Sequence, residues 1–162
     1  MAEELLFTKD ATRETIYQEI LPQIKGVMMG EPDLVANLAN VSAILKEAFN
    51  FFWVGFYRWD GNELVLGPFQ GPLACTRISL KQGVCGAAAR EQQTQLVPDV
   101  EAFPGHIACN SASKSEVVVP LMHEGVCQLV LDVDSDQLDD FSGLDQQYLE
   151  DIVELIRLQH YC

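Results

Sequence analysis

Between Asn50 and Phe51 the spacing of apolar residues changes from that of a helix to that of a strand. Upstream, Leu34, Leu38, Val41, Leu45 and Phe49 fall on one face of a helix whose first turn suits Pro32. Downstream, Phe51 to Trp59 is aromatic and β-rich, Asp60-Gly61-Asn62 signals a turn, and Glu63 to Phe69 continues as a second strand, which predicts a hairpin. Strong helical spacing returns at the far end. There Ser142-Gly143-Leu144-Asp145 has the spacing of a capping box, and Leu144, Tyr148, Ile152, Leu155 and Leu158 form an apolar stripe. A hairpin-rich centre between terminal helices predicts an α+β single domain with a mostly antiparallel central sheet.

The remaining segments fill that frame. Ile16, Ile20 and Ile24 recur every four residues in a segment from 8 to 29 that Pro22 should end or kink, so residues 1–30 are expected to form a helical extension at the N-terminus. Leu73 to Leu80, set off by Gly71-Pro72, is a possible third strand. Gly83-Val84-Cys85-Gly86 opens a short Ala-rich helix to about Gln92, and a brief strand follows near Leu96. Glu116 to Met122 and Val126 to Asp134 are two further strands joined at His123-Glu124-Gly125. Residues 98–115 follow neither period. A stretch without regular structure longer than about 12–15 residues in a compact domain is characteristically functional or disordered.

Composition narrows the partners. With 10 Lys and Arg against 24 Asp and Glu, the chain carries a formal charge of −14, which argues against nucleic acid and against anionic membranes. No apolar run reaches the ~18 residues of a membrane helix, and Met1-Ala2-Glu3-Glu4 lacks the basic and apolar regions of a signal peptide. A soluble, cytoplasmic protein is expected. In a reducing compartment the five cysteines do not read as a disulfide framework, and an odd number cannot all pair.

Three groups of residues could carry chemistry. On the last strand, alternation puts Cys127, Leu129, Leu131 and Val133 on one side, and Val126, Gln128, Val130, Asp132 and Asp134 on the other. Two acids on an otherwise apolar face either mark a strand end in water or line a pocket, where mutual repulsion would raise one pKa and hold a proton. Cys127, on the apolar side, reads as core. On the first strand Phe51, Trp53, Gly55, Tyr57 and Trp59 share a face, and Gly55 leaves a gap between Trp53 and Tyr57 that could admit a ligand. The third group is the cysteines. Their wide intervals, with only His106-x-x-Cys109 resembling a half-site, disfavour zinc. Cys109 lies in the long polar loop, where exposure would allow it to react. Cys85 rivals it, because the dipole of the helix it opens would stabilise a thiolate. These arguments do not choose between the two, and Cys162 is incidental.

Several motifs together resemble one family. Trp53-Val-Gly-Phe-Tyr57, Leu66-Gly-Pro-Phe-Gln-Gly-Pro-Leu-Ala-Cys75, Gly83-Val-Cys-Gly86, Gly105-His-Ile-Ala-Cys109, Ser115-Glu116 and Leu131-Asp-Val-Asp-Ser135 resemble, in this order, the free methionine-(R)-sulfoxide reductases, enzymes of GAF fold. The likeness runs from about Asp33 to Leu158. One departure is Leu129, where family members have a small residue.

The resemblance implies reduction of free methionine (R)-sulfoxide by thiol chemistry, with no metal or cofactor. It makes Cys109 the nucleophile, Cys75 the resolving cysteine that forms a disulfide with it, Cys85 an auxiliary thiol, and 98–115 the active-site loop. Glu116, Asp132 and Asp134 resemble the acids that bind and polarise the sulfoxide oxygen, and Trp53 and Tyr57 the aromatic wall around the substrate. Thioredoxin is the implied reductant, and a homodimer is common in the family. The alternative is a GAF module that senses a small ligand or uses its thiols as a redox switch.

Overall fold

The computed structural model describes residues 4–107 and 109–162. The first three residues of the N-terminal segment and Ala108 of the 98–115 loop lie outside the described residues. In chain order the elements are α1 (Arg13–Met28), α2 (Leu34–Phe49), β1 (Trp53–Trp59), β2 (Leu64–Gln70), β3 (Arg77–Ile78), α3 (Gly83–Glu91), β4 (Gln95–Val97), β5 (Ser115–His123), β6 (Val126–Ser135) and α4 (Gly143–His160). The strands form one sheet in the order β3-β2-β1-β6-β5-β4, and every neighbouring pair is antiparallel. The expected α+β architecture is observed.

Local chemistry explains most element ends. The Asp33 side chain accepts a hydrogen bond from Ala36 N–H and caps α2, so Pro32 sits just outside the helix rather than in its first turn. Asn50 ends α2 in the left-handed conformation, and the predicted capping box at Ser142 and Asp145 is formed. Pro22 does not end α1, which runs through it. A helix-interior proline costs about 3 kcal/mol, and burial of Ile16, Tyr17, Ile20, Ile24 and Met28 outweighs that cost. Leu73 to Leu80 yields only the two-residue β3, because the stretch before it bends around the sheet edge.

The two faces of the sheet are covered differently. On one, Leu129, Leu131 and Val133 of β6 and Val117, Val119 and Leu121 of β5 pack against α1, α2 and α4 in a continuous apolar core. Ile152 of the expected α4 stripe is buried and its Leu144, Tyr148 and Leu155 pack against this core, joined by Leu149, Val153 and Ile156, whereas Leu158 is half exposed. The other face carries Trp53, Tyr57, Val118 and Val130 under a thinner cover of α3 and loops.

Two irregularities re-sort the predicted faces. β1 begins at Trp53, so Phe51 turns into the helical core instead of continuing the aromatic row. The register of β5 and β6 shifts between Leu121 and Met122, which moves Cys127 away from Leu129 to the opposite, thinner-covered face, where it is still buried.

Candidate active site

Strand register assembles the acids. Trp53 lies opposite Asp134, which lies opposite Glu116, so one row across β1, β6 and β5 holds an indole and two carboxyls. Asp132 is two residues along β6 on the same face, opposite Gly55 and Val118. The row after that places Tyr57 beside Val130. Three acids from two adjacent strands thus converge beneath two stacked aromatic rings, whose centroids are 5.9 Å apart.

Gly55 has a role other than the one its position suggested. A Cβ there would lie 2.3 Å from Phe69 Cβ and 2.8 Å from Pro68 O, so the space belongs to β2 and not to a ligand. The register between β1 and β2 shifts at this point, and the glycine permits the close approach.

A cavity of about 50 Å³ sits over the acids. Its walls are the aromatic rings, α3 at Val84 and Cys85, and the 98–115 loop at His106, Ile107, Cys109, Asn110 and Ser113. The loop is tied to α3 by Gly83 N–H donating to Gly105 O at 2.9 Å. Gly83 has φ +70, where a side chain would be strained and would press Ile107. Cys109, which lines the cavity, is joined by a disulfide to Cys75, their Cα atoms 5.3 Å apart.

Burial sets the electrostatics. Glu116 is 7% and Asp132 5% exposed, and no cation pairs with either among the described residues. Removal from water pushes the Glu116 carboxyl well above its usual range, and the charges of Asp132 and Asp134 add to the effect. Asp134 is raised well above its usual range by burial and then by Asp132. Asp132 rises only to about 6, because burial is opposed by hydrogen bonds from Glu116 and Cys85. Burial thus favours the protonated form of each of the three carboxyls. Repulsion between acids, the expected cause, comes second to burial.

Cys85 does not behave as a helix-dipole thiolate. It is buried beneath the cavity with Sγ 4.0 Å from Glu116 Oε1, and burial followed by the neighbouring acids pushes its pKa well up. Its Sγ and the carboxyl oxygens of Glu116 and Asp132 lie within 4.8 Å of one another, a donor set able to hold a soft divalent cation. Ligation would require these groups to give up the protons that burial helps them keep.

The structure gathers Trp53, Tyr57, Cys75, Cys85, Cys109, Glu116, Asp132 and Asp134 in one place. Sequence reading named His106 only as a zinc half-site and within a motif and did not name Asn110 or Ser113; all three line the same cavity. His106 Nδ1, Ser113 Oγ and Asp132 Oδ1 are buried there without a protein hydrogen-bond partner, a polar interior suited to a polar guest. Only the polarity of a loop without period could have pointed to these side chains.

Residues 33–158 match the family model described as GAF domain. Across 96% of the chain and 91% of the relative, the sequence is 37% identical to the free methionine-R-sulfoxide reductase of Saccharomyces cerevisiae. The chain belongs to the free methionine-R-sulfoxide reductase family. This family of oxidoreductases is built on the GAF domain. A relative in Dictyostelium discoideum called GAF domain-containing protein A is 57% identical over 96% of this chain and 99% of its own length. The X-ray structure of the free methionine-R-sulfoxide reductase from Neisseria meningitidis in complex with its substrate superposes with a TM-score of 0.93. It is 51% identical, with 96% of this chain and 94% of that one covered. Membership in the free methionine-R-sulfoxide reductase family accounts for the motif order noted in the sequence.

Proposed function

We propose that this protein reduces free L-methionine (R)-sulfoxide to methionine, with Cys109 as nucleophile. The observation that carries the reading is the row of carboxyls with raised pKa values beneath an aromatic wall, with the Cys75–Cys109 disulfide beside it. In the reduced protein the Cys109 thiolate attacks the sulfoxide sulfur. Glu116 or Asp134 donates a proton to the oxygen, which is otherwise held tightly by the sulfur. The oxygen passes to Cys109 as a sulfenic acid and methionine departs. Trp53 and Tyr57 flank the substrate's methyl end, and Asp132, the most readily ionised of the three acids, faces its polar end.

The Cys75 thiol then attacks the Cys109 sulfur. The S–O bond breaks, water leaves with the thiol proton, and the disulfide forms. A thioredoxin dithiol in the cytoplasm reopens it by exchange. Cys85 supports the acids as a buried thiol. The cavity in the disulfide form has room for only a few waters, so the 98–115 loop opens to admit substrate once the bond is reduced.

Incubation with racemic free methionine sulfoxide and dithiothreitol, following each epimer, tests the reading. Consumption of the R epimer alone is expected, and loss of neither or of the S epimer alone overturns it. Cys109→Ser should abolish even the first turnover. Cys75→Ser should release about one equivalent of methionine and then stall with thioredoxin. A full first turnover by Cys109→Ser would transfer the nucleophile's role to Cys85.

A further inference from the structure

The polar atoms of the aromatic wall are both engaged by backbone carbonyls. Trp53 Nε1–H donates to the carbonyl of Pro72 at 3.1 Å, and Tyr57 O–H donates to the carbonyl of Cys75 at 2.9 Å. Both acceptors belong to the segment 71–75, which carries no regular structure before β3. Leu73, between the two anchors, is 89% exposed. Core burial of that side chain therefore does not place the segment. Just beyond it, Leu66 N–H donates to Thr76 O at 3.0 Å.

Gly71 fixes the other end. Its φ is +141, and an added Cβ would lie 2.7 Å from Trp53 Cδ1 and 2.9 Å from Phe52 O. The backbone at Gly71 can lie against the indole only because there is no side chain. Two rings thus face the cavity with their carbon surfaces and hold a short arm with their hydrogen-bond donors.

We propose that residues 71–75 form a positioning arm, set by Gly71, Trp53 and Tyr57, that holds the Cys75 thiol within reach of Cys109 and so governs the rate of disulfide closure. The inference deepens the proposed function and rests on it. Closure consumes one sulfenic acid and one thiol and yields a disulfide and water, so its rate depends on sulfur-to-sulfur approach. A displacement of about 1 Å in such a step can cost on the order of 10²-fold.

The test separates closure from reduction. Pre-reduced protein is mixed with one equivalent of free methionine sulfoxide and quenched at intervals. Released methionine is quantified, and intact mass after thiol alkylation counts the disulfide. Gly71→Ala should release methionine at the native rate, close the disulfide at least about tenfold more slowly, and accumulate sulfenic acid trapped by dimedone. Tyr57→Phe should slow closure more than it slows its own methionine release.

Closure that keeps pace with methionine release in both variants overturns the proposal. Equal slowing of both steps in Gly71→Ala overturns it too. A second arm uses hydrogen peroxide in place of substrate to make the sulfenic acid. If the native protein releases no methionine, the functional reading fails. Slow closure of the variants under peroxide would still uphold the arm, and native-rate closure would sink it. If Gly71→Ala does not fold, Tyr57→Phe carries both measurements.

Discussion

β6 contributes to both faces of one sheet, and its alternate residues meet opposite conditions. Leu129, Leu131 and Val133 enter an apolar core sealed by three long helices, whereas Val130, Asp132 and Asp134 face a small polar cavity under α3 and loops. The first face buries the larger apolar area, which stabilises the fold. The second gathers three carboxyls, Glu116 and Asp132 buried and Asp134 half-buried, with no counter-ion among the described residues, an arrangement that destabilises it. One face can hold carboxyls whose burial is costly because the other supplies the stability that keeps them in place.

Four measurements break or sharpen this comparison. The largest effect is expected for Asp134→Asn, which preserves shape while removing the transferable proton. Methionine release should fall by about 10²–10⁴-fold, while thermal stability rises because a buried ionisable group is gone. An unchanged rate with a lower Tm would make Asp134 an ordinary strand-end residue. On the helical face, Leu131→Ala should lower unfolding free energy by about 3 kcal/mol in denaturant titration and leave the first-turnover rate of the folded protein nearly native. A large rate loss there would mean that the faces are not separable.

Gly55→Ala probes the seam between β1 and β2. The collision with Phe69 should cost about 2 kcal/mol, read as a lower urea midpoint, and a neutral result would show that β2 yields freely. The smallest effect is in pH. Unfolded Glu and Asp lose their protons near 4.5 and 3.8, but the folded cluster retains them to higher pH. Between those limits the unfolded state binds fewer protons, so stability falls as pH rises, for Asp132 between 3.8 and about 6. Glu116→Gln should flatten the decline, followed as Tm against pH. A stability that rises over this range would contradict the buried, protonated cluster.

Much of the fold was legible because local chemistry and tertiary packing agree. The capping box at Ser142, the hairpin at Asp60 and the alternation on β6 from Leu129 to Asp134 survive folding. The differences arise where long-range contacts overrode a local signal. Pro22 stays inside α1 because five buried side chains hold the helix through it, and Cys127 changes face because of a register shift invisible to period-two counting. Gly55 reads in sequence as an opening but is filled by a neighbouring strand. His106, Asn110 and Ser113 had no periodic signature, since their place at the cavity depends on how the 98–115 loop folds back.

By itself the sequence determined that helices would bracket an antiparallel sheet, that Asp132 and Asp134 would share a face, and that the order of motifs resembles one reductase family. These follow from periodicity and residue identity, which are properties of the chain alone. Tertiary structure decided that Glu116 joins those acids across β5 and β6, that burial more than repulsion raises their pKa values, and that Cys75 and Cys109 meet. Each of these depends on distance and desolvation between residues far apart in the chain, quantities that exist only once the sheet has paired and its faces have been covered.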